Sequence, residues 1–229
     1  MLAFFSVIVM LIVAYAHFRE GLFTAAVMLV NILLAGLITF NFWEPLAETF
    51  DAILAGSIIS GYEDLLVLTG LFAGSLALLR ALTNKLSPDQ IEFPGYVQQF
   101  GGGALGLVSG YLVAGFLVCT LETLPWHENF MNFQPRTENE TALRTYLPPD
   151  RTWLAIMRHA GAHAFASTPD KDKSDAENPY DRYVTFDRDG TFEIRFFRYR
   201  RYGDKRDSNL CKPDGTYRYD GEFDRELHK

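Results

Sequence analysis

Apolar positions gather in four long runs, at about residues 2–16, 22–42, 65–83 and 98–121, and the only charge inside them is Arg80 near the end of the third. The second run has 21 residues. Wound as an α-helix it covers roughly 31 Å, the thickness of the hydrocarbon core of a bilayer. The pattern therefore predicts four membrane helices. Ala14-Tyr15-Ala16 has the small residues of a signal-peptide cleavage site, but no Lys or Arg precedes the first run and another run follows at once, which favours a retained helix. The short connection His17-Phe18-Arg19-Glu20-Gly21 forces the first two helices into an antiparallel hairpin.

The connections differ in character. Residues 43–64 hold Trp43, Pro45 and an amphipathic series, Leu46, Phe50, Ile53, Leu54 and Ile58, set against Glu44, Glu48 and Asp51. This segment is too short to span and suits the membrane interface. The connection 84–97 carries the breakers Pro88, Pro94 and Gly95.

After Pro125 the pattern changes. Residues 125–149 are polar, Pro-marked and scattered with aromatics, a linker along the membrane surface. Pro148-Pro149-Asp150 offers a helix start with Asp150 as N-cap, ahead of Trp153, Leu154, Ile156, Met157 and Ala160, which predicts a helix over about 151–166. A charged, breaker-rich loop follows at 167–181. Val184 and Phe186 then alternate with polar residues, Asp189-Gly190 supplies a turn, and Phe192, Ile194 and Phe196 alternate on the return. A third strand is expected at 216–223, around Tyr217, Tyr219 and Phe223. The expected architecture is an all-α membrane domain, 1–124, made of a four-transmembrane-helix bundle. A small α+β soluble C-terminal domain, 150–229, follows the linker.

Composition sharpens this division. A mean hydropathy of +0.01 describes an ordinary soluble domain only on average. Residues 1–125 carry 12 charges and residues 126–229 carry 37, as expected of two different solvents. The net charge of −7 gives no basis for nucleic-acid binding through overall charge, and two cysteines cannot staple a secreted scaffold.

Basic residues in short loops mark the cytoplasmic side. Arg19, Arg80 and Lys85 fall on one side and the 43–64 segment has no Lys or Arg. The first and third connections are therefore expected inside, with the C-terminal tail outside.

Small residues form the most informative spacing. Gly102, Gly106, Gly110 and Ala114 recur every fourth position in the fourth run, and Gly70 and Gly74 repeat the interval in the third. Such residues let helix backbones touch in lipid, where close van der Waals contact drives association. Three uses stay open: packing within the bundle, a homo-oligomer seam, and a pore-lining face.

Candidate chemistry is sparse. Polar residues in the spans are few, chiefly Thr24, Asn31, Ser75 and Ser109, with Asn41 and Glu122 near helix ends. No ionisable group stands in mid-span as an ion-coupled pump would need, and Asn31 reads as an interhelical hydrogen-bonding residue. His159 and His163 share a helix face but lack the intervening acid of a metalloprotease, so no metal and no cofactor are expected. No nucleophile–base pair or phosphate loop points to an enzyme. Arg195, Arg198, Arg200 and Arg201 interleave with Phe196, Phe197, Tyr199 and Tyr202, a pattern suited to an anionic surface. Nearby Asp181, Asp187, Glu193 and Asp204 also balance these arginines.

The order of features resembles the colicin V production family of bacterial inner-membrane proteins. The first helix ends in Phe18-Arg19-Glu20-Gly21, a long second helix follows, and the fourth opens on Gly102-Gly103-Ala104-Leu105-Gly106-Leu107-Val108-Ser109-Gly110. The likeness covers about residues 1–124. Gln98-Gln99 stand where the family tends to place an Asp-Arg pair, and Ser109 where it tends to place Arg. The resemblance implies a multi-pass inner-membrane protein of toxin production, toxin export or envelope homeostasis, with no catalytic residues to carry over. Its expected partners are the lipid bilayer, envelope or export proteins and a second copy of itself, with no nucleic acid. The alternative is an oligomeric channel or small-solute permease.

Overall fold

A computed structural model describes residues 2–54, 62–86, 94–124, 148–162 and 192. Helix α1 spans Leu2–Glu20, α2 Leu22–Leu54, α3 Glu63–Leu86, α4 Gly95–Glu122 and α5 Pro149–Ala162. The first four include stretches long and apolar enough to cross a membrane. No strand occurs among the described residues.

The hairpin between α1 and α2 is tighter than expected. Helix α1 continues through Glu20, and Gly21 alone makes the turn, with φ at 98°. That left-handed conformation strains residues bearing a Cβ. The Gly21 N–H donates to His17 O at 2.8 Å, closing the last turn of α1.

Residues 43–54, expected to lie in the interface, are not a separate element but the continuation of α2 beyond its membrane-capable stretch, Leu22–Trp43. Helix α2 runs without interruption through Pro45 to Leu54, and Glu63 and Asp64 already form the first turn of α3. Pro45 lacks one backbone donor, but its carbonyl still accepts from Thr49 Oγ1 at 2.8 Å, so the following turn is tied to it. At 33 residues, α2 is about 50 Å long, well beyond a hydrocarbon core of roughly 30 Å.

Two hydrogen bonds pin α2 to α3. Asn31 Nδ2 donates to Thr83 Oγ1 at 3.2 Å, the interhelical role its position predicted, and Trp43 Nε1 donates to Asp64 Oδ1 at 3.0 Å. Helix α1 packs antiparallel against α4, with Met10 beside Gly110 and Ala14 beside Gly106. These pairings bring Arg19, Arg80 and Lys85 to one end of the bundle, where Arg80 and Glu20 form an exposed ion pair at 3.4 Å. The amino end of α1, the carboxyl end of α2 and residue 122 lie at the other.

Helix α5 departs from the expected soluble tail. It begins at Pro149, whose fixed φ suits a first helical position, so Asp150 lies inside the first turn rather than capping it. Trp153, Leu154 and Met157 belong to the same buried core as Ile32, Phe40, Phe72 and Phe116 of the membrane helices. A separable α+β tail is not supported. The apolar face of α5 has no other described partner to cover it, and burying that face against α2 and α4 removes it from water. The expected strands at 184–196 and 216–223 lie outside the described residues except for Phe192, which is buried against the bundle.

Candidate functional site

The site grows from two glycines on different helices. A Cβ at Gly36 of α2 would stand 2.5 Å from Trp153 Cζ2 and 3.0 Å from Met157 Sδ. A Cβ at Gly115 of α4 would collide with the Pro149 carbonyl oxygen and stand 3.0 Å from Trp153 Cβ. Only hydrogen at both positions leaves room for α5, and Trp153 is fully buried there.

Aromatic rings close around that indole. Phe72 and Phe116 stack with centroids 3.9 Å apart and planes 18° from parallel. Trp153 meets Phe116 at 5.9 Å and Phe72 at 6.2 Å, both edge to face. Phe40 lies 6.4 Å from Trp153 and 6.0 Å from Phe192, and Phe192 reaches Trp43 at 5.7 Å. The T-shaped pairs are arrangements that ring quadrupoles favour, each contributing about 0.5–1.5 kcal/mol beyond burial. The cluster joins α2, α3, α4, α5 and residue 192.

Polar contacts fix α5 in register. Tyr111 Oη and Thr152 Oγ1 share a hydrogen bond of 2.9 Å, and Cys119 Sγ lies 3.7 Å from the Asp150 carbonyl oxygen as donor. Three carboxylates are deeply placed at this end of the bundle, with exposures of 0% for Asp150, 1% for Glu122 and 7% for Glu63. Ionised groups so buried are retained only where compensated. The sequence pattern put Glu122 merely near a helix end and did not anticipate its burial.

The small-residue positions divide into two sets. A Cβ at Gly102 would stand 2.6 Å from His17 O, one at Gly106 2.8 Å from Ala14 Cα, and one at Gly110 2.7 Å from Met10 Cα. Ala114 is fully buried as well. These glycines sit directly on the backbone of α1. Among the described residues nothing lies within 4 Å of a Cβ at Gly70 or Gly74, so neither glycine is at a close helix contact there. Gly21 is enclosed by the Gln98 side chain.

Other candidates are not gathered at the site. His159 is exposed on α5 and His163 lies outside the described residues, as do Arg195, Arg198, Arg200 and Arg201. Among the described residues no group of three His, Cys, Asp or Glu is placed to hold a metal. Sequence reasoning missed Gly36, the seating role of Trp153 and the reach of Phe192. The available signal was the apolar face of α5, rich in large side chains yet followed by a polar tail with no obvious partner for it.

The arrangement is an aromatic seat for α5, built on a bundle in which α1 packs closely along α4. Searches of curated proteins and of solved structures return no match. The sequence profile of the colicin V production protein matches residues 2–145, from α1 through α4 and into the segment before α5. With more than half of its length matched, and with four membrane-capable helices in the matched order, the chain belongs to the colicin V production family.

Proposed function

We propose that this protein is a non-enzymatic, multi-pass component of the bacterial inner membrane that serves toxin production or export, or envelope homeostasis. In this reading the bundle is a platform that holds the C-terminal segment at one membrane face. Seating Trp153 between Gly36 and Gly115 is the observation that carries the platform role. Family membership supports the setting. Arg19, Arg80 and Lys85 lie together at the opposite end, and the retention of basic loops in the cytoplasm favours a non-cytoplasmic seat. The reading of a glycine-lined channel loses its main support, because Gly102, Gly106 and Gly110 lie against α1.

Deletion of the gene followed by complementation tests the proposal. Wild-type protein is expected to restore peptide-toxin secretion and resistance to membrane-active compounds, while Trp153→Ala at equal membrane abundance is expected not to. Deletion without effect on either trait would overturn the proposal. Ion or small-solute flux above that of empty vesicles would favour the channel instead.

A further inference from the structure

We propose that α5 is a reversible latch that exchanges between its seat on α2 and α4 and the lipid interface of the adjoining leaflet. The seat leaves one polar group unmet. Trp153 is fully buried, and its indole Nε1 finds no hydrogen-bond acceptor among the described residues. Trp43, buried as well, donates its indole N–H to Asp64 Oδ1 at 3.0 Å. Buried polar atoms are nearly always paired, so an unpaired N–H at the centre of the seat favours any surroundings that pair it. The membrane–water interface supplies them, because a tryptophan there keeps its ring among acyl chains and its N–H among headgroup oxygens and water.

Helix α5 has the build of an interfacial helix. Trp153, Leu154 and Met157 are buried in the seat, while Ala155 and His159 on the other side are exposed. Helical spacing places Arg151 and Arg158 away from Trp153, and Asp150 is the one acid of α5 against these two bases. An apolar face backed by a basic one suits a bilayer with anionic headgroups. Depth matches as well. Trp153 meets α2 at Gly36 and α4 at Gly115, each about 10 Å inside the ends of the membrane-capable stretches at Trp43 and Glu122. An interfacial helix buries its apolar face by about 5–10 Å, so little vertical travel separates the two positions. Residues 125–147 join α4 to α5 and can span at most about 80 Å, which leaves the chain free to make the move. On the platform reading, holding of the C-terminal segment then depends on the leaflet: anionic lipid draws α5 off the seat, and neutral lipid leaves it in place.

Spin-label distances test the latch in the full-length chain, carrying Cys119→Ala and Cys211→Ala and reconstituted in vesicles. Labels at Ala155→Cys and Leu78→Cys occupy exposed positions on α5 and α3. In phosphatidylcholine one distance population is expected to dominate. In equimolar phosphatidylcholine and phosphatidylglycerol a second should grow at least about threefold, at the distance seen when Gly36→Leu or Gly115→Leu blocks the seat. Salt at 1 M, where screening acts within about 3 Å, should reverse most of that growth. Arg151→Gln together with Arg158→Gln should flatten the lipid dependence. Distances indifferent to phosphatidylglycerol, or a response that salt leaves intact, would overturn the latch. So would a second population that scales with the protein-to-lipid ratio, which would assign the apolar face to a second copy. A label at Ile156→Cys reached by water-soluble nickel rather than by oxygen in the released state would also overturn it, since α5 would then be free in solution. None of these readouts involves toxin secretion or resistance, so the latch and the platform's role fail separately.

Discussion

Trp153 and Gly36 meet so closely that a methyl group on the glycine would stand 2.5 Å from the indole Cζ2. That contact ties a helix beyond the polar connection at 125–147 to the middle of a membrane helix. It makes α5 part of the same packed core as the membrane-capable helices.

Removing the indole should release α5. Trp153→Ala is expected to lower stability by about 3–5 kcal/mol, as for other large buried aromatics truncated to Ala. Trp153→Phe should lose less, since a ring still fills part of the slot. Detergent-solubilised thermal unfolding, followed by size-exclusion recovery of the monodisperse protein, reads the difference.

Filling the slot from its walls should have the same effect as emptying it. Gly36→Leu and Gly115→Leu each place carbon atoms where Trp153 and Pro149 already stand. Each is expected to match Trp153→Ala in melting temperature. Gly70→Leu and Gly74→Leu, where nothing among the described residues lies within 4 Å, should leave the melting temperature of the isolated chain unchanged.

Helix α1 depends on a different set of contacts. Gly106→Val and Gly110→Val would push against the Ala14 and Met10 backbones, which cannot give way as a flexible side chain can. Overpacking of this kind costs about 1–3 kcal/mol. The expected outcome is lower thermal stability together with faster proteolysis of α1 in detergent. Unchanged values for both variants would contradict the observed seam.

The polar bond between α2 and α3 should contribute modestly. A double-mutant cycle of Asn31→Leu and Thr83→Val is expected to give a coupling of about 0.6 kcal/mol, with about 1.7 kcal/mol as the upper range for such pairs in membranes. Unfolding in mixed micelles at graded denaturant measures it.

The four spans were legible because an uninterrupted apolar run of membrane length has few other uses. Their ends were less so. His17 to Glu20 are polar or bulky enough to suggest a loop, yet they stay helical until Gly21 adopts its positive φ. Pro45 suggested a break, but a proline removes a single donor and α2 continues around it. The candidate site was harder to read, because its meaning lies in pairings across the chain. Gly36 is one small residue in an apolar helix, and Trp153 is one large residue on an amphipathic one. Neither shows its partner until α2, α4 and α5 are brought together. Phe192 alternated with Ile194 and Phe196 as a strand residue would, and only its packing on Phe40 and Trp43 shows that it is spent on the bundle.

The most direct test of the account is proximity of α5 to α4 in a native membrane. Tyr111→Cys and Thr152→Cys replace side chains whose hydroxyls lie 2.9 Å apart. They would be placed in a chain lacking Cys119 and Cys211 and treated with a short bifunctional thiol reagent. The account predicts an intramolecular cross-link that protease cleavage in the 125–147 connection fails to separate, and loss of that cross-link on adding Trp153→Ala. Two freely separating fragments from the otherwise wild-type chain would show that α5 is not seated in the bundle.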